Sequence, residues 1–89
     1  MISQTTARFR HAFQQLPPPI QRRAREAFKL WKQEPFHPSL RFKAVHPSKP
    51  IYSVRVGLDW RALGVREGEQ MLWFWIGSHA DYEHLIAQL

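Results

Sequence analysis

The chain has 89 residues, and its 13 lysines and arginines outnumber its 7 aspartates and glutamates, which makes its formal net charge +6 at pH 7. It has no cysteine, so disulfides, thiolate catalysis and cysteine-type zinc sites are excluded. We expect one small cytoplasmic domain with an anionic partner, because the sequence shows no signal-peptide pattern and no apolar run near the ~18 residues of a membrane span.

Two helices are predicted in the first third of the chain. Thr5 and Thr6 are common N-cap residues, and the apolar residues after them recur at helical spacing, which predicts a helix over residues 5–16. Residues 17–19 are all proline and end this helix, because proline lacks the backbone N–H. The same run suits the first turn of a second helix, predicted over residues 18–33. The basic face of that helix is interpreted as solvated and consists of Arg22, Arg23, Arg25, Lys29 and Lys32.

From residue 40 onward the apolar period changes to two, which is typical of strands. Strands are predicted over residues 40–45, 51–57, 60–66 and 71–77. A short helix over residues 80–88 follows, with Ser78 as its N-cap, and residues 1–4 carry a weak signal for an edge strand. Runs of helices followed by runs of strands predict an α+β fold. In this fold a helical hairpin packs on one face of a twisted antiparallel sheet of three to four strands.

Cations stand within three of the predicted strands, and a histidine and a tyrosine follow the fourth. The cations are Lys43, Arg55 and Arg61, and the residues after the last strand are His79 and Tyr82. Cleavage of RNA without metal needs a base for the 2′-hydroxyl, cations for the developing negative charge, and an acid for the leaving 5′-oxygen. Strand-borne arginines suit the charge, and His79 suits proton transfer. Tyr82 suits contact with a phosphate or a nucleobase, and Lys43 suits phosphate binding or the role of base.

Each of these residues also has a purely structural interpretation. A charged strand residue commonly faces solvent, and Arg61 could pair with Asp59 in the preceding turn. His79 could cap the last helix, and Tyr82 could pack in the core. Three tryptophans are interpreted as core residues in preference to a base-stacking platform: Trp60, Trp73 and Trp75. The remaining histidines lack metal-ligand spacing, so neither a metal site nor a cofactor is predicted.

Five stretches carry a resemblance to a known family. They are residues 16–19 before a basic helix, His-Pro-Ser-Leu-Arg-Phe-Lys at 37–43, Ile-Tyr-Ser-Val-Arg-Val at 51–56, Trp-Arg-Ala-Leu-Gly at 60–64, and Trp-Phe-Trp-Ile-Gly-Ser-His at 73–79 with Tyr82. In this order and spacing they cover nearly the whole chain, residues 5–86. The chain resembles the RelE/ParE superfamily of bacterial toxin–antitoxin toxins, most closely the small plasmid-stabilisation, HigB-like branch. The resemblance implies a helical hairpin packed on a twisted antiparallel sheet.

The resemblance also implies a function. It implies the toxin of a type II system, a metal-independent endoribonuclease that cleaves mRNA, commonly in the ribosomal A site, by 2′-hydroxyl attack. A cognate antitoxin would neutralise it. Carried over by position, the implied catalytic residues are Lys43, Arg55, Arg61, His79 and Tyr82. The residues expected to bind RNA beside them are Arg41, Lys49 and Trp60. No strand glutamate matches the base of some relatives, so the base stays open between Lys43 and His79.

Two other functions stay open. A sister branch of the superfamily inhibits DNA gyrase and lacks the nuclease residues, and the presence of His79 and Tyr82 argues mildly against that branch. A catalytically inactive member would bind nucleic acid with an affinity that falls steeply with salt, and its expression would not arrest growth.

Overall fold

The computed structural model describes residues 1–89 and consists of a five-stranded sheet, three α-helices and one short 3₁₀ helix. In chain order the elements are β1 (Ile2–Thr5), α1 (Ala7–Gln14), α2 (Pro18–Gln33), the 3₁₀ helix (Pro38–Leu40), β2 (Lys43–Ala44), β3 (Ile51–Gly57), β4 (Trp60–Glu67), β5 (Gln70–Ser78) and α3 (His79–Gln88). The strand order in the sheet is β1-β5-β4-β3-β2. The predicted α+β fold is confirmed.

The two N-terminal helices begin and end where their capping residues predict. The Thr6 hydroxyl accepts a hydrogen bond from the Phe9 backbone N–H at 3.0 Å and so caps α1. Pro17 is the N-cap residue of α2, and Pro18 stands in its first turn, where no N–H is needed. Helix α1 lies mainly on β5 and α2 mainly on β3, so the two helices reach different parts of the same sheet.

Two features of the sheet differ from the prediction. Strands β2 to β5 pair antiparallel, but β1 pairs parallel with β5, from Ile2 opposite Gln70 to Thr5 opposite Trp73. The strand predicted over residues 40–45 pairs only at Lys43–Ala44. The reason is Arg41, whose φ of 47° is left-handed and interrupts the extended backbone after the 3₁₀ helix.

Both faces of the sheet are covered, by different helices. Side chains of α1 and α2 pack against β-strand residues such as Val54, Ala62 and Trp73. On the opposite face, Tyr82 of α3 packs against Ile51 and Leu63. The helical hairpin and α3 therefore lie on opposite faces of the sheet. Strand β5 makes this arrangement possible, because its continuous apolar run supplies side chains to both faces of the sheet and leaves an apolar surface for α3 to bury.

The hairpin turns of the sheet are short. The turn between β3 and β4 has two residues, since Gly57 pairs with Trp60, and the register shifts between Arg55 and Gly57. The β4–β5 turn contains Gly68 at φ +62°, a conformation that glycine adopts without a steric penalty. None of the helices has the length and apolar character needed to cross a membrane.

Candidate active site

Arg55 and Arg61 are direct cross-strand partners on β3 and β4. Directly opposed residues of an antiparallel pair point to the same face, so both side chains share one side of the sheet. That side is the one covered by α3, because Leu63, two residues beyond Arg61, packs against Tyr82. The predicted alternation is thus confirmed for these two arginines, and two like charges stand opposite each other, which destabilises a sheet in the absence of an anion.

The two guanidinium groups converge on one backbone oxygen. The Gly57 carbonyl accepts from Arg55 Nε at 3.4 Å and from Arg61 Nη1 at 3.3 Å, and Arg61 Nη1 also donates to the Trp60 carbonyl at 3.0 Å. The salt bridges of the structure join Arg66 to Glu69 and His79 to Glu83, so no carboxylate lies within bridging distance of either arginine. The pairing of Arg61 with Asp59, one of the structural interpretations, is therefore absent.

The electrostatic environment of Arg61 disfavours its charge. Burial lowers the pKa of Arg61 below its usual value, and the neighbouring charge of Arg55 lowers it further. Tyr82 in its ionised form and the Asp59 carboxylate raise this pKa, while Arg41 again lowers it. A guanidinium stays protonated in proteins. The unfavourable charge is therefore kept, and a bound anion would relieve it.

The N-terminal turn of α3 borders the arginine pair. Trp60 and Arg61 pair with Ser78 and Gly77 of β5, immediately before His79. The His79 backbone N–H donates to the Asp59 carbonyl at 2.6 Å, which fixes the start of α3 to the β3–β4 turn. The Ser78 hydroxyl accepts from the Asp81 backbone N–H at 3.1 Å, and the predicted cap of this helix is confirmed.

His79 and Tyr82 occupy different environments on α3. The His79 ring centre lies 5.7 Å from that of Tyr82, and His79 Nε2 lies 3.4 Å from a Glu83 carboxylate oxygen. The His79 side chain is partly exposed, whereas Tyr82 is buried, with only 9% of its surface exposed. Tyr82 thus contributes to packing as well as to the border of the site, and His79 is accessible to a ligand.

Arg41 and Lys43 add two further cations on the β2 side. Lys43 pairs with Ser53, so it shares the face of Arg55 and is its diagonal neighbour, at a typical Cβ separation of about 7–8 Å. Arg41 acts electrostatically on Arg61 and holds a left-handed φ of 47°, which costs an L-residue about 1–2 kcal/mol. Both residues are exposed. Together with Arg55 and Arg61 they form what we call the cation cluster.

Lys49 and Trp60, the other residues expected to bind RNA, are not brought to the cation cluster. Trp60 packs with the hairpin-side core, on the opposite face of the sheet. Lys49 lies before β3, so about four residues of strand, roughly 13 Å, separate it from Arg55 along the sheet. Their role in RNA binding stays a prediction.

Two charged residues near the site were missed by the sequence reasoning. Glu83 stands four residues after His79, a spacing that brings side chains together on a helix. This contact could therefore be predicted from the sequence. Arg23 of α2 lies close to the β3–β4 turn, with its Cδ 3.9 Å from where a Gly57 Cβ would stand. That contact depends on how α2 packs on β3, and no local sequence pattern predicts it.

Solved structures with the same fold are toxins of toxin–antitoxin systems. The RelB–RelE complex of Methanococcus jannaschii is similar over 92% of this chain and 96% of that chain, with 13% identity and a TM-score of 0.73. YafQ of E. coli strain BL21(DE3) matches over 90% and 94%, with 12% identity and a TM-score of 0.72. The RelBE2 complex of Mycobacterium tuberculosis matches over 86% and 95%, with 21% identity and a TM-score of 0.70.

A comparison with family models identifies the family itself. The model of the ParE-like toxin domain matches residues 18–84, three quarters of the chain and all of the cation cluster. Among curated proteins, no sequence match was found. The family match covers well over half of the chain and agrees with the fold and with the resemblance noted in the sequence. The chain therefore belongs to the ParE-like toxin domain family of the RelE/ParE superfamily.

Proposed function

We propose that this protein is a metal-independent endoribonuclease, the toxin of a type II toxin–antitoxin system, which cleaves mRNA, in association with the ribosome. The observation that carries the proposal is the directly opposed Arg55 and Arg61, which lack a carboxylate partner and converge on the Gly57 carbonyl; the β3–β4 turn beside them is bonded to the His79 backbone N–H. Such a pair suits an RNA phosphate, because guanidinium groups match phosphate oxygens and neutralise the charge that develops on them.

The proposed reaction is an internal transesterification of RNA. The 2′-oxygen attacks the adjacent phosphorus and gives its proton to a base on the protein. The bond from phosphorus to the 5′-oxygen breaks, and this oxygen takes a proton from an acid. The products are a 2′,3′-cyclic phosphate and a free 5′-hydroxyl. The arginine pair stabilises the additional negative charge of the five-coordinate phosphorus, and the cluster's outer members, Arg41 and Lys43, bind the flanking backbone.

His79 is assigned to proton transfer. Histidine is the side chain most often used for general acid–base catalysis, and the Glu83 carboxylate oxygen 3.4 Å from Nε2 can hold the His79 ring in place. Lys43 is exposed and sits diagonally from Arg55, which suits phosphate binding. Tyr82 lies beneath His79 and supports its ring, and its hydroxyl is the proposed contact to the phosphate.

The test measures cleavage of free RNA in EDTA and cleavage of mRNA on programmed ribosomes. We expect Arg61→Ala and His79→Ala each to reduce the rate by at least ~10²-fold. Arg22→Ala, which removes an exposed arginine from α2, is the matched control and should cleave like the wild type. Intact RNA in every condition, or full activity in both site variants, would refute the proposed reaction.

The proposal includes a cognate antitoxin as partner. An apolar groove of about 440 Å³ lies between α1, α2 and the sheet, and its lining includes Phe9, Phe13, Phe28 and Trp31. The Trp31 indole N–H is buried there without a hydrogen-bond acceptor. An amphipathic antitoxin segment would cover the groove, and its acidic residues would meet the cations. Growth arrest on induction, relieved by the product of a neighbouring gene, tests this partner.

A second candidate function is inhibition of DNA gyrase without catalysis. The ParE-like description of the matching family favours it. It predicts that toxicity survives His79→Ala and Tyr82→Ala, and that purified protein inhibits supercoiling in vitro. The nuclease function predicts instead that His79→Ala removes the toxicity, so this single variant distinguishes the two functions.

A further inference from the structure

A cleft of about 370 Å³ opens between α2 and the β3–β4 turn, next to the cation cluster. Its volume falls in the range of small-ligand sites, roughly 300–1,000 Å³. The residues that line it include Arg23 and Glu26 of α2, Arg55 of β3, and Leu58 of the turn. Arg55 also lines this cleft, although the arginine pair lies on the opposite face of the sheet, the one covered by α3, so the cleft and the candidate active site meet at this residue.

The charged side chains that line the cleft form no salt bridges with one another. Neither Arg23, Glu26 nor Arg55 takes part in a salt bridge, although all three line the same space. Arg23 and Glu26 are exposed on successive turns of one helical face, three residues apart. Two cations and one carboxylate without salt-bridge partners therefore line a single opening.

Half of the residues that line the cleft are apolar. Leu58 is 68% exposed at the tip of the turn, an unusual position for a leucine, and Val56, Ala27 and Leu30 also line the space. Apolar walls with a few polar groups are typical of sites that hold a flat organic ring. Such walls, together with two cations and one carboxylate, match the parts of a nucleotide.

We propose that this cleft binds one nucleotide next to the scissile phosphate, with Arg23 on its phosphate and Glu26 on the amino-bearing edge of its base. The inference rests on the proposed function and names the subsite that selects the RNA sequence. A carboxylate accepts hydrogen bonds from the amino group of cytosine or adenine. Uracil carries a carbonyl oxygen at the position of the cytosine amino group, and this oxygen repels a carboxylate, so uracil is selected against. A purely acidic protein segment fits less well, because Glu26 would repel it.

The test uses RNA analogues that cannot be cut. Fully 2′-O-methylated octamers of cytidine and of uridine are bound to the intact protein, and affinity is measured by fluorescence anisotropy. We expect the wild type to bind oligo-C at least about fivefold more tightly than oligo-U. Glu26→Gln should remove this preference, since an amide both donates and accepts. Arg23→Ala should weaken binding to both octamers about tenfold and lower the salt dependence by about one phosphate contact.

Matched controls separate these effects from loss of net charge. Arg22→Ala removes an adjacent exposed arginine outside the cleft, and Glu34→Gln removes an exposed carboxylate beyond the end of α2. Both controls should keep the wild-type preference for cytidine. All four substituted side chains are exposed, so the variants should fold, and thermal unfolding confirms this.

The outcomes distinguish the cleft from the reaction. A cytidine preference that Glu26→Gln abolishes, in a protein that cuts no RNA, would support the cleft and refute the proposed nuclease. Cleavage that depends on Arg61, with Arg23→Ala and Glu26→Gln binding like their controls, would overturn the cleft alone. Failure of the wild type to bind either octamer would also overturn it, and would favour an acidic protein segment as the occupant.

Discussion

Removing one member of the arginine pair should stabilise the protein and abolish its activity. Arg55 Nε and Arg61 Nη1 lie 3.4 and 3.3 Å from the same carbonyl oxygen, so we take the separation of the two charges as about 6 Å. Coulomb's law then gives a repulsion of ~0.7 kcal/mol in water and ~3 kcal/mol at an effective dielectric constant of 20. Because both side chains are partly exposed, we expect Arg55→Gln to raise the free energy of unfolding by about 1 kcal/mol.

The assay is thermal unfolding followed by circular dichroism, in a buffer without multivalent anions. A stabilisation of 1 kcal/mol corresponds to an increase in Tm of about 4–8 °C for a domain of this size. The gain should shrink in 0.5 M salt, because salt screens exposed charges. Arg22→Gln is the control for the net charge, and its effect should stay within about 0.5 kcal/mol.

The reasoning would be refuted if Arg55→Gln lowered Tm, or raised it no more than Arg22→Gln does. A rise in Tm that persists unchanged in high salt would contradict the electrostatic cause. The same variant should lose at least ~10²-fold in cleavage rate, so that stability and activity move in opposite directions.

Three further predictions concern the groups around the pair. His79→Ala should slow single-turnover cleavage by ~10²-fold or more, whereas Glu83→Gln should slow it by no more than about fivefold, because an exposed ion pair is worth at most about 1 kcal/mol. Gly77→Ala should reduce the free energy of unfolding, measured in urea, by about 1–3 kcal/mol, because the new Cβ would lie 2.6 Å from the Trp75 ring. Gly57→Ala is the control: its Cβ would have its first contact at 3.4 Å, so the free energy of unfolding should change little. Gly68→Ala should cost about 1–2 kcal/mol through its φ of +62° alone, since open space surrounds it; equal losses at positions 57 and 68 would contradict this account.

Only part of the arginine geometry could be predicted from the sequence. Period-two alternation assigned each arginine to one side of its strand, but a two-residue turn with Gly57 opposite Trp60 would by itself place Arg55 opposite Ala62. The register shift between Arg55 and Gly57 places it opposite Arg61 instead. The helix bounds followed from local chemistry in the same way, through the threonine cap and the proline run. These features depend on residues near each other in the chain.

Features that depend on distant contacts were missed or only partly foreseen. The parallel pairing of β1 joins residues nearly seventy positions apart, and a four-residue segment carries too little pattern to specify it. The shortened β2 results from a left-handed arginine, which local propensity disfavours. The position of α3 on the second face and of Arg23 beside Gly57 both follow from tertiary packing.

The central claim is that the arginine pair directs attack of an RNA 2′-hydroxyl on its own phosphate. The most direct measurement maps one cleavage site of the wild type in EDTA and replaces the nucleotide on its 5′ side with the 2′-deoxy form. The account predicts that this one bond resists cleavage while other sites are still cut, and that the cut ends carry 2′,3′-cyclic phosphate. Continued cleavage at the 2′-deoxy position, or ends without a cyclic phosphate, would contradict it.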